Sequence, residues 1–174
     1  MTPVLIISNI LSVIGMGFNV FALFKKEKSK VLIWQSIAYL FMAAADITVG
    51  AIVAAAIMPV NIIKNILDTK GKLKWSLVSI FTVLYIAACV FTYKQPIDLI
   101  PVIASIQYLF FVKLSKTSTG LKVGVAINAA LWAVSDAYFV LIPLFIGDFT
   151  LISTSLINIY KDRKTIKEKE SVNS

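Results

Sequence analysis

The stretch that decides the fold is PVLIISNILSVIGMGFNVFALF at residues 3–24, followed at once by KKEKSK at residues 25–30. The first part carries no charge and has the length of about 20 mostly apolar residues that a helix needs to cross a bilayer. A signal peptide has basic residues before its apolar run, whereas the lysines here come after it. Residues 3–24 are therefore predicted to be a membrane anchor that begins outside the membrane.

The composition of the whole chain agrees with this anchor. Of 174 residues, 59% are apolar and only 15% are charged, against about 25% charged in ordinary soluble domains. The chain has no histidine, so zinc chemistry and histidine-based catalysis lose most of their support. Cys89 is the single cysteine, which excludes a disulfide framework. The predicted class is an all-α, polytopic membrane protein.

Six more apolar segments of suitable length follow the first one. They are predicted as transmembrane helices over residues 31–48, 50–67, 75–93, 97–114, 123–140 and 143–160. A six-helix interpretation would merge the second span with the third, or the sixth with the seventh. Either merged segment is too long to cross the membrane once, so seven spans are favoured.

The basic residues set the predicted orientation. With seven spans and the N-terminus outside, 16 of the 17 basic residues fall on the cytoplasmic side and only Lys94 falls outside. The net charge of +8 is then a consequence of topology, and no nucleic-acid partner is expected. Residues 161–174 are predicted to form a polar cytoplasmic tail, with the C-terminus inside the cell.

An internal repeat emerges when the chain is shifted by 93 residues against itself. The first three spans then match the last three, and the fourth is left as a linker, so the repeat is parallel. The predicted units are a three-helix bundle over residues 1–70, a linker helix over 71–94 and a second bundle over 95–160. The residue matches, the last of which needs four extra residues, are Pro3 with Pro96, Gln35 with Asn128, Tyr39 with Trp132, and Asn61 with Asn158.

Polar residues inside apolar helices are the candidates for function. Asp148 lies about a third of the way into the seventh span, where a carboxylate should face the protein interior or water. It is predicted to couple transport to a proton or cation, unless it is an interfacial acid in a shorter helix. Asp136 and Asp46 lie near helix ends and are interpreted as acids at the outer rim. The predicted substrate-binding residues are Asn61, Asn158, Trp132, Tyr39, Gln35 and Asn128.

These assignments have structural alternatives. Buried amides often bond to neighbouring helices merely to satisfy their own hydrogen bonds, and aromatic rings inside bundles more often pack than bind a ligand. An intramembrane aspartyl protease would need two facing carboxylates, and Asp136 and Asp148 could meet, but the usual motifs around them are missing. The sequence also has no glycine-rich phosphate loop, no metal-spaced set and no Ser–His pair. We therefore expect no enzyme, no cofactor and no metal.

The sequence QPIDLIPVI at residues 95–103 resembles a characteristic stretch of the YgjV-type bacterial inner-membrane proteins. The similarity extends over nearly the whole chain, and it includes an aromatic residue at Trp132 and an acid at Asp148. It also includes an Asn three residues before a basic residue, at Asn158 and again at Asn61. The chain departs from the pattern at Ser135, where relatives can carry His. The resemblance implies a bacterial inner-membrane protein and carries no activity with it.

The arrangement of three, one and three helices also resembles SWEET sugar transporters and PnuC-type vitamin-precursor transporters. In those families, paired Asn residues on the third and seventh helices and Trp residues line a central site. Asn61, Asn158 and Trp132 are placed similarly, but the Pro-Gln signature of the PQ-loop relatives is absent. The likeness is therefore one of architecture.

Together these features predict a transporter. It would move a small polar solute across the cytoplasmic membrane by alternating access between the two bundles. The alternative is a receptor or assembly protein that uses the same fold without transporting anything. The expected partners are membrane lipids, the solute and a possible second copy of the chain.

Overall fold

The computed structural model of the chain describes residues 3–93, 95–138 and 142–172. Over these ranges the protein is entirely helical, with seven α-helices, one short 3-10 helix at Pro96–Asp98 and no strand. The helices are α1 (Pro3–Leu23), α2 (Lys28–Val49), α3 (Ile52–Thr69), α4 (Trp75–Thr92), α5 (Leu99–Leu114), α6 (Ser118–Tyr138) and α7 (Ile142–Val172). The all-α prediction is confirmed for these ranges.

Five of these helical stretches are long and apolar enough to cross a membrane. They are α1 to α4 and the stretch from Pro96 to the end of α5. Helices α6 and α7 exist where the sixth and seventh spans were predicted, but they are not among the five. Five helices in the described part of the chain thus meet this criterion, and seven spans remain a prediction. Helix α7 does not end near residue 160 but continues to Val172.

The surface of the bundle is apolar and much of its interior is polar. On α4, for example, Val90 is 71% exposed and Phe91 is 87% exposed. Contiguous apolar surface on this scale suits lipid and not water. Buried polar side chains, by contrast, occur on α1, α2, α3, α5, α6 and α7.

Six of the helices form a closed ring. Neighbours along the chain pack together within α1–α2–α3 and within α5–α6–α7. Contacts between α1 and α7, and between α3 and α5, close the ring. Helix α4 packs against α3 and α5. Such a ring leaves room for a cavity at its centre.

The two ends of the bundle differ in charge. The α1–α2, α3–α4 and α5–α6 connections, which lie within residues 24–27, 70–74 and 115–117, meet at one end. They are rich in lysine, and we call this end the basic end. The opposite end, here the acidic end, carries the α2–α3 and α4–α5 connections and the acids Asp46, Asp98 and Asp136.

Two local features shape the acidic end. Gly50 ends α2 with a backbone φ of 75°, in the left-handed region that glycine enters without a steric penalty. Its N–H donates to the carbonyls near the end of α2, so the chain turns directly into α3. Pro101 lies in the first turn of α5, where its missing N–H would have had no partner within the helix. It therefore starts that helix without disturbing it.

We expect Gly124→Ala to destabilise the protein. A Cβ atom at Gly124 would lie 2.5 Å from Cβ of Phe111, and that atom is fixed to the backbone of α5. Overpacking of this kind costs about 1–3 kcal/mol. Gly17→Ala is the matched control, because nothing lies within 4 Å of the added atom. Thermal unfolding in detergent should show a lower midpoint for the first variant only. Equal midpoints for both would contradict the α5–α6 packing.

Candidate binding cavity

A cavity of about 390 Å³ occupies the centre of the ring. Its walls come from all seven helices and from the chain between α4 and α5. It begins among residues of the acidic end, such as Asp46 and Ala51, and reaches the level of Gln35 and Asn128. Its volume falls in the range of about 300–1,000 Å³ that is typical of small-molecule sites.

Five of the seven predicted site residues line this cavity: Gln35, Tyr39, Asn128, Trp132 and Asp148. The hydroxyl of Tyr108 donates a hydrogen bond to Oε1 of Gln35 across the ring. The side-chain amide of Asn128 donates to the carbonyl oxygen of Ala104 at 2.8 Å. Both amides are thus held in fixed orientations at the deep end of the cavity.

Asn61 and Asn158 do not line the cavity. Oδ1 of Asn61 accepts hydrogen bonds from the Tyr85 hydroxyl at 2.7 Å and from Nζ of Lys64 at 3.1 Å. Nδ2 of Asn158 donates to the carbonyl of Thr154 at 2.9 Å. Both residues lie nearer the basic end than the cavity does, and their part in substrate binding stays a prediction.

Asp148 and Asp136 meet in the wall of the cavity. Asp148 is 4% exposed and Asp136 is 6% exposed, and their carboxyl groups are in hydrogen-bonding contact. Asp136 is therefore buried, whereas an outer-rim position was expected from its place near a helix end. Two carboxyl groups can share a hydrogen bond only when one of them carries a proton. The pair can therefore hold one proton between its two carboxyl groups.

Asp46 of α2 adds a third carboxyl group to this part of the cavity. It is half-buried, lines the cavity and lies close enough to Asp136 to interact with it electrostatically. Among the described residues, no group of three or more acids, Cys or His has the geometry to hold a metal ion. The three acids therefore give this part of the cavity an acidic wall.

Sequence reasoning missed Asn19 and Tyr108, which also line the cavity. Asn19 lies in α1, is 7% exposed, and its Oδ1 has no hydrogen-bond partner among the described residues. A polar side chain in an otherwise uncharged span is a signal for an inward-facing position. That signal was present, but the 93-residue shift pairs neither residue with a similar one.

At the basic end, side chains connect neighbouring helices through an ion pair and hydrogen bonds. Nζ of Lys28 contacts Oδ2 of Asp68 at 2.6 Å and also donates to the carbonyl of Val112 on α5. The hydroxyl of Ser118 donates to the carbonyl of Lys25 at 2.9 Å, which joins α6 to the end of α1. These bonds close the end of the ring that the cavity does not reach.

A second ion pair at the basic end matches the first. Nζ of Lys122 contacts Oδ2 of Asp162 at 2.8 Å, and Thr119 donates to the same oxygen. It joins α6 to α7 as Lys28 and Asp68 join α2 to α3. The lysine side chain of this second pair is 2% exposed. The charge is therefore almost fully withdrawn from water.

An apolar surface, a polar interior and an acid-walled cavity define a polytopic helical membrane protein with a central cavity. The chain belongs to the Imp-YgjV family of bacterial inner membrane proteins, whose family model matches residues 6–166. The resemblance to the YgjV-type proteins is thereby confirmed, as is a multi-pass protein of the bacterial inner membrane. Neither a curated protein nor a solved structure matches this chain.

Proposed function

We propose that the protein carries a small polar solute across the bacterial inner membrane by alternating access. One observation carries this proposal. The cavity extends from the acidic end to mid-bundle, while hydrogen bonds between the two halves of the chain close the basic end. A cavity approached from one side only is what an alternating-access carrier has in one of its two states. The protein has no catalytic step in this proposal.

The proposed topology has seven spans with the acidic end outside. Basic residues cluster at the opposite end, and the positive-inside rule places that end in the cytoplasm. Helices α6 and α7 would cross with their polar faces turned to the cavity, which explains their lower apolarity. Their cavity residues Asn128, Asp136 and Asp148 support this orientation.

The proposed duplication finds support in the packing. Among the six helices of the ring, exchanging α1–α3 with α5–α7 leaves the pattern of helix contacts unchanged, including the two contacts that close the ring. The ion pairs repeat as well, because Lys28–Asp68 and Lys122–Asp162 each join residues 40 positions apart. In both cases the pair connects the first turns of the second helix of a bundle to the part of the third helix that lies at the basic end. Helix α4 would serve as the connector.

The duplication suggests which bonds must break during transport. The two repeated ion pairs lie within the bundles and would stay intact when the bundles move. The bonds from Lys28 to Val112, from Ser118 to Lys25 and from Lys113 to the carbonyl of Leu73 instead join the first half of the chain to the second. Breaking them would open the basic end, while α2 and α6 approach each other at the acidic end.

Uptake into liposomes tests the transport proposal against its alternative. The purified protein should give saturable, protein-dependent uptake of a polar solute that it binds. A receptor or assembly protein with the same cavity would bind the solute without any flux. Binding without uptake would therefore reject the transporter.

Topology can be tested separately in intact cells. A reporter fused after Ser174 should read as cytoplasmic, and a cysteine that replaces Thr2 should react with an impermeant reagent from outside. A matched cysteine at Lys72, in the α3–α4 connection, should be protected until the cells are opened. Protection of the cysteine at position 2 would overturn the seven-span arrangement.

A further inference from the structure

We propose that the solute is a small organic cation with N–H donors, of the ammonium or guanidinium class. The inference rests on the proposed function and names the substrate class of the same cavity. It is based on three features of the cavity wall: carboxyl groups, acceptor atoms without hydrogen-bond partners, and aromatic rings.

The first observation is the charge of the wall. Asp46, Asp136 and Asp148 line it, and none of the described lining residues is a Lys or Arg. Lys64 is buried nearby, but it donates to Asn61, lies 4.5 Å from the ring centre of Tyr108 and does not line the cavity. Asp98 already accepts a hydrogen bond from the backbone N–H of Gln95 and is not counted here. Among the described lining residues, an anion would therefore find no cationic side chain to pair with.

The second observation is independent of charge. Oδ2 of Asp148 and Oδ1 of Asn19 are buried and have no hydrogen-bond partner among the described residues. The Asn19 oxygen is an acceptor, and the Asp148 oxygen is one whenever its carboxyl group is ionised, so each then requires a donor. A buried polar atom left without a partner costs about 1–3 kcal/mol, and more for a charged group. A ligand with N–H donors satisfies both atoms, whereas an acceptor-only ligand satisfies neither.

The third observation concerns the aromatic rings. Tyr39 and Trp132 line the cavity at the matched positions of the two halves. The face of such a ring attracts a cation that lies within about 6 Å of its centre. The rings therefore favour the same ligand class as the carboxyl groups.

The Asp136–Asp148 contact adds a competition between the ligand and a proton. Without a ligand, a proton on one carboxyl group allows the hydrogen bond between them. A cation that bonds to Asp148 takes over the role of that proton, and the proton leaves to solvent. Asp46 on α2 faces the pair, and Asn19 supplies the acceptor from α1. Cation binding should therefore weaken as the pH falls.

A series of four-carbon probes with different charge tests the inference. Thermal unfolding of the detergent-solubilised protein is followed with 1,4-diaminobutane, 1,4-butanediol or succinate, and guanidinium serves as a second cation. We expect only the cations to stabilise the protein, by about 3 °C at ten times the dissociation constant. Equal or greater stabilisation by the diol or by succinate would overturn the inference. So would the absence of stabilisation by either cation at millimolar concentration.

Variants locate the binding site. Asp148→Asn and Asn19→Ala should each weaken the binding of 1,4-diaminobutane, the first by about thirtyfold. Glu27→Gln is the matched control, because it removes a carboxylate from an exposed ion pair outside the cavity. If the Asp148→Asn protein fails to fold, the Asn19→Ala variant alone tests whether the cation binds in the cavity. Unchanged binding in the folded cavity variants would place the cation elsewhere and reject the site.

The outcomes also separate the ligand class from transport. Cation binding without uptake into liposomes would keep the ligand class and reject the carrier. Saturable uptake of 1,4-butanediol or succinate without cation binding would keep the carrier and reject the ligand class.

Discussion

Asp148→Asn should abolish the pH dependence of solute uptake while leaving the protein folded. The carboxyl group of Asp148 is buried in the cavity wall, contacts Asp136 and has an oxygen without a partner. The side-chain amide of Asn does not gain or lose a proton in the neutral pH range, so the competition between proton and solute at this position disappears. Solute affinity should fall by about thirtyfold, because hydrogen bonds to a charged group contribute about 1.5–3 kcal/mol. Uptake into liposomes, measured across the neutral pH range, checks both effects.

The structural interpretation of Asp148 predicts a different pattern. If the residue only stabilises the α6–α7 pair, Asp148→Asn should change the unfolding temperature and leave uptake unchanged at every pH. Glu27→Gln is the control, since it removes an exposed carboxylate outside the cavity. Normal, pH-dependent uptake in the Asp148→Asn protein would remove this residue from the mechanism.

Much of the fold could be predicted from the sequence, because a bilayer imposes simple requirements. Each predicted span overlaps a helix of the structure, and most of their boundaries agree within a few residues. The largest differences are at α6, which begins five residues before the predicted span, and at α7, which continues well past it. Both ends lie among Lys, Ser and Thr residues. Hydropathy detects the apolar part of a helix and not its polar ends.

The site was harder to predict, because a one-dimensional pattern does not show which faces meet. Asp136 lies on α6 and Asp148 lies 12 residues later on α7, and only the packing of the two helices brings the carboxyl groups together. Asn61 looked equivalent to a ligand-binding Asn of similar folds, yet its side chain is bonded to Tyr85 and Lys64. The position of a residue along its helix could be predicted from the sequence, but the direction of its side chain could not.

The charge distribution links topology to mechanism. Lysines at the basic end are the basis of the proposed orientation, and two of them, Lys28 and Lys122, also form the ion pairs that join neighbouring helices there. Acids at the other end form the wall of the cavity. A cation that enters from the acidic end thus meets carboxyl groups first. The lysines lie on the side where it would have to leave.

The repeated ion pair at the basic end yields the prediction with the largest effect on stability. Asp162→Lys should lower the unfolding midpoint by about 10 °C. The variant leaves Lys122 buried, with its side chain 2% exposed, and places a second cation beside it. Removing one partner of a buried pair costs about 3–5 kcal/mol, and each kcal/mol shifts the midpoint by about 2–4 °C in a chain of this size.

Two comparisons show whether the pair itself is responsible. Combining Asp162→Lys with Lys122→Asp restores opposite charges at the same two positions and should recover at least half of the lost stability. Glu27→Lys makes the same change in the exposed Lys30–Glu27 pair, whose side chains are 58% and 64% exposed. Exposed pairs contribute about 0–1 kcal/mol, so this control should shift the midpoint by no more than about 3 °C. A similar small shift for Asp162→Lys would show that the Lys122 side chain reaches water and that the pair is not a buried one.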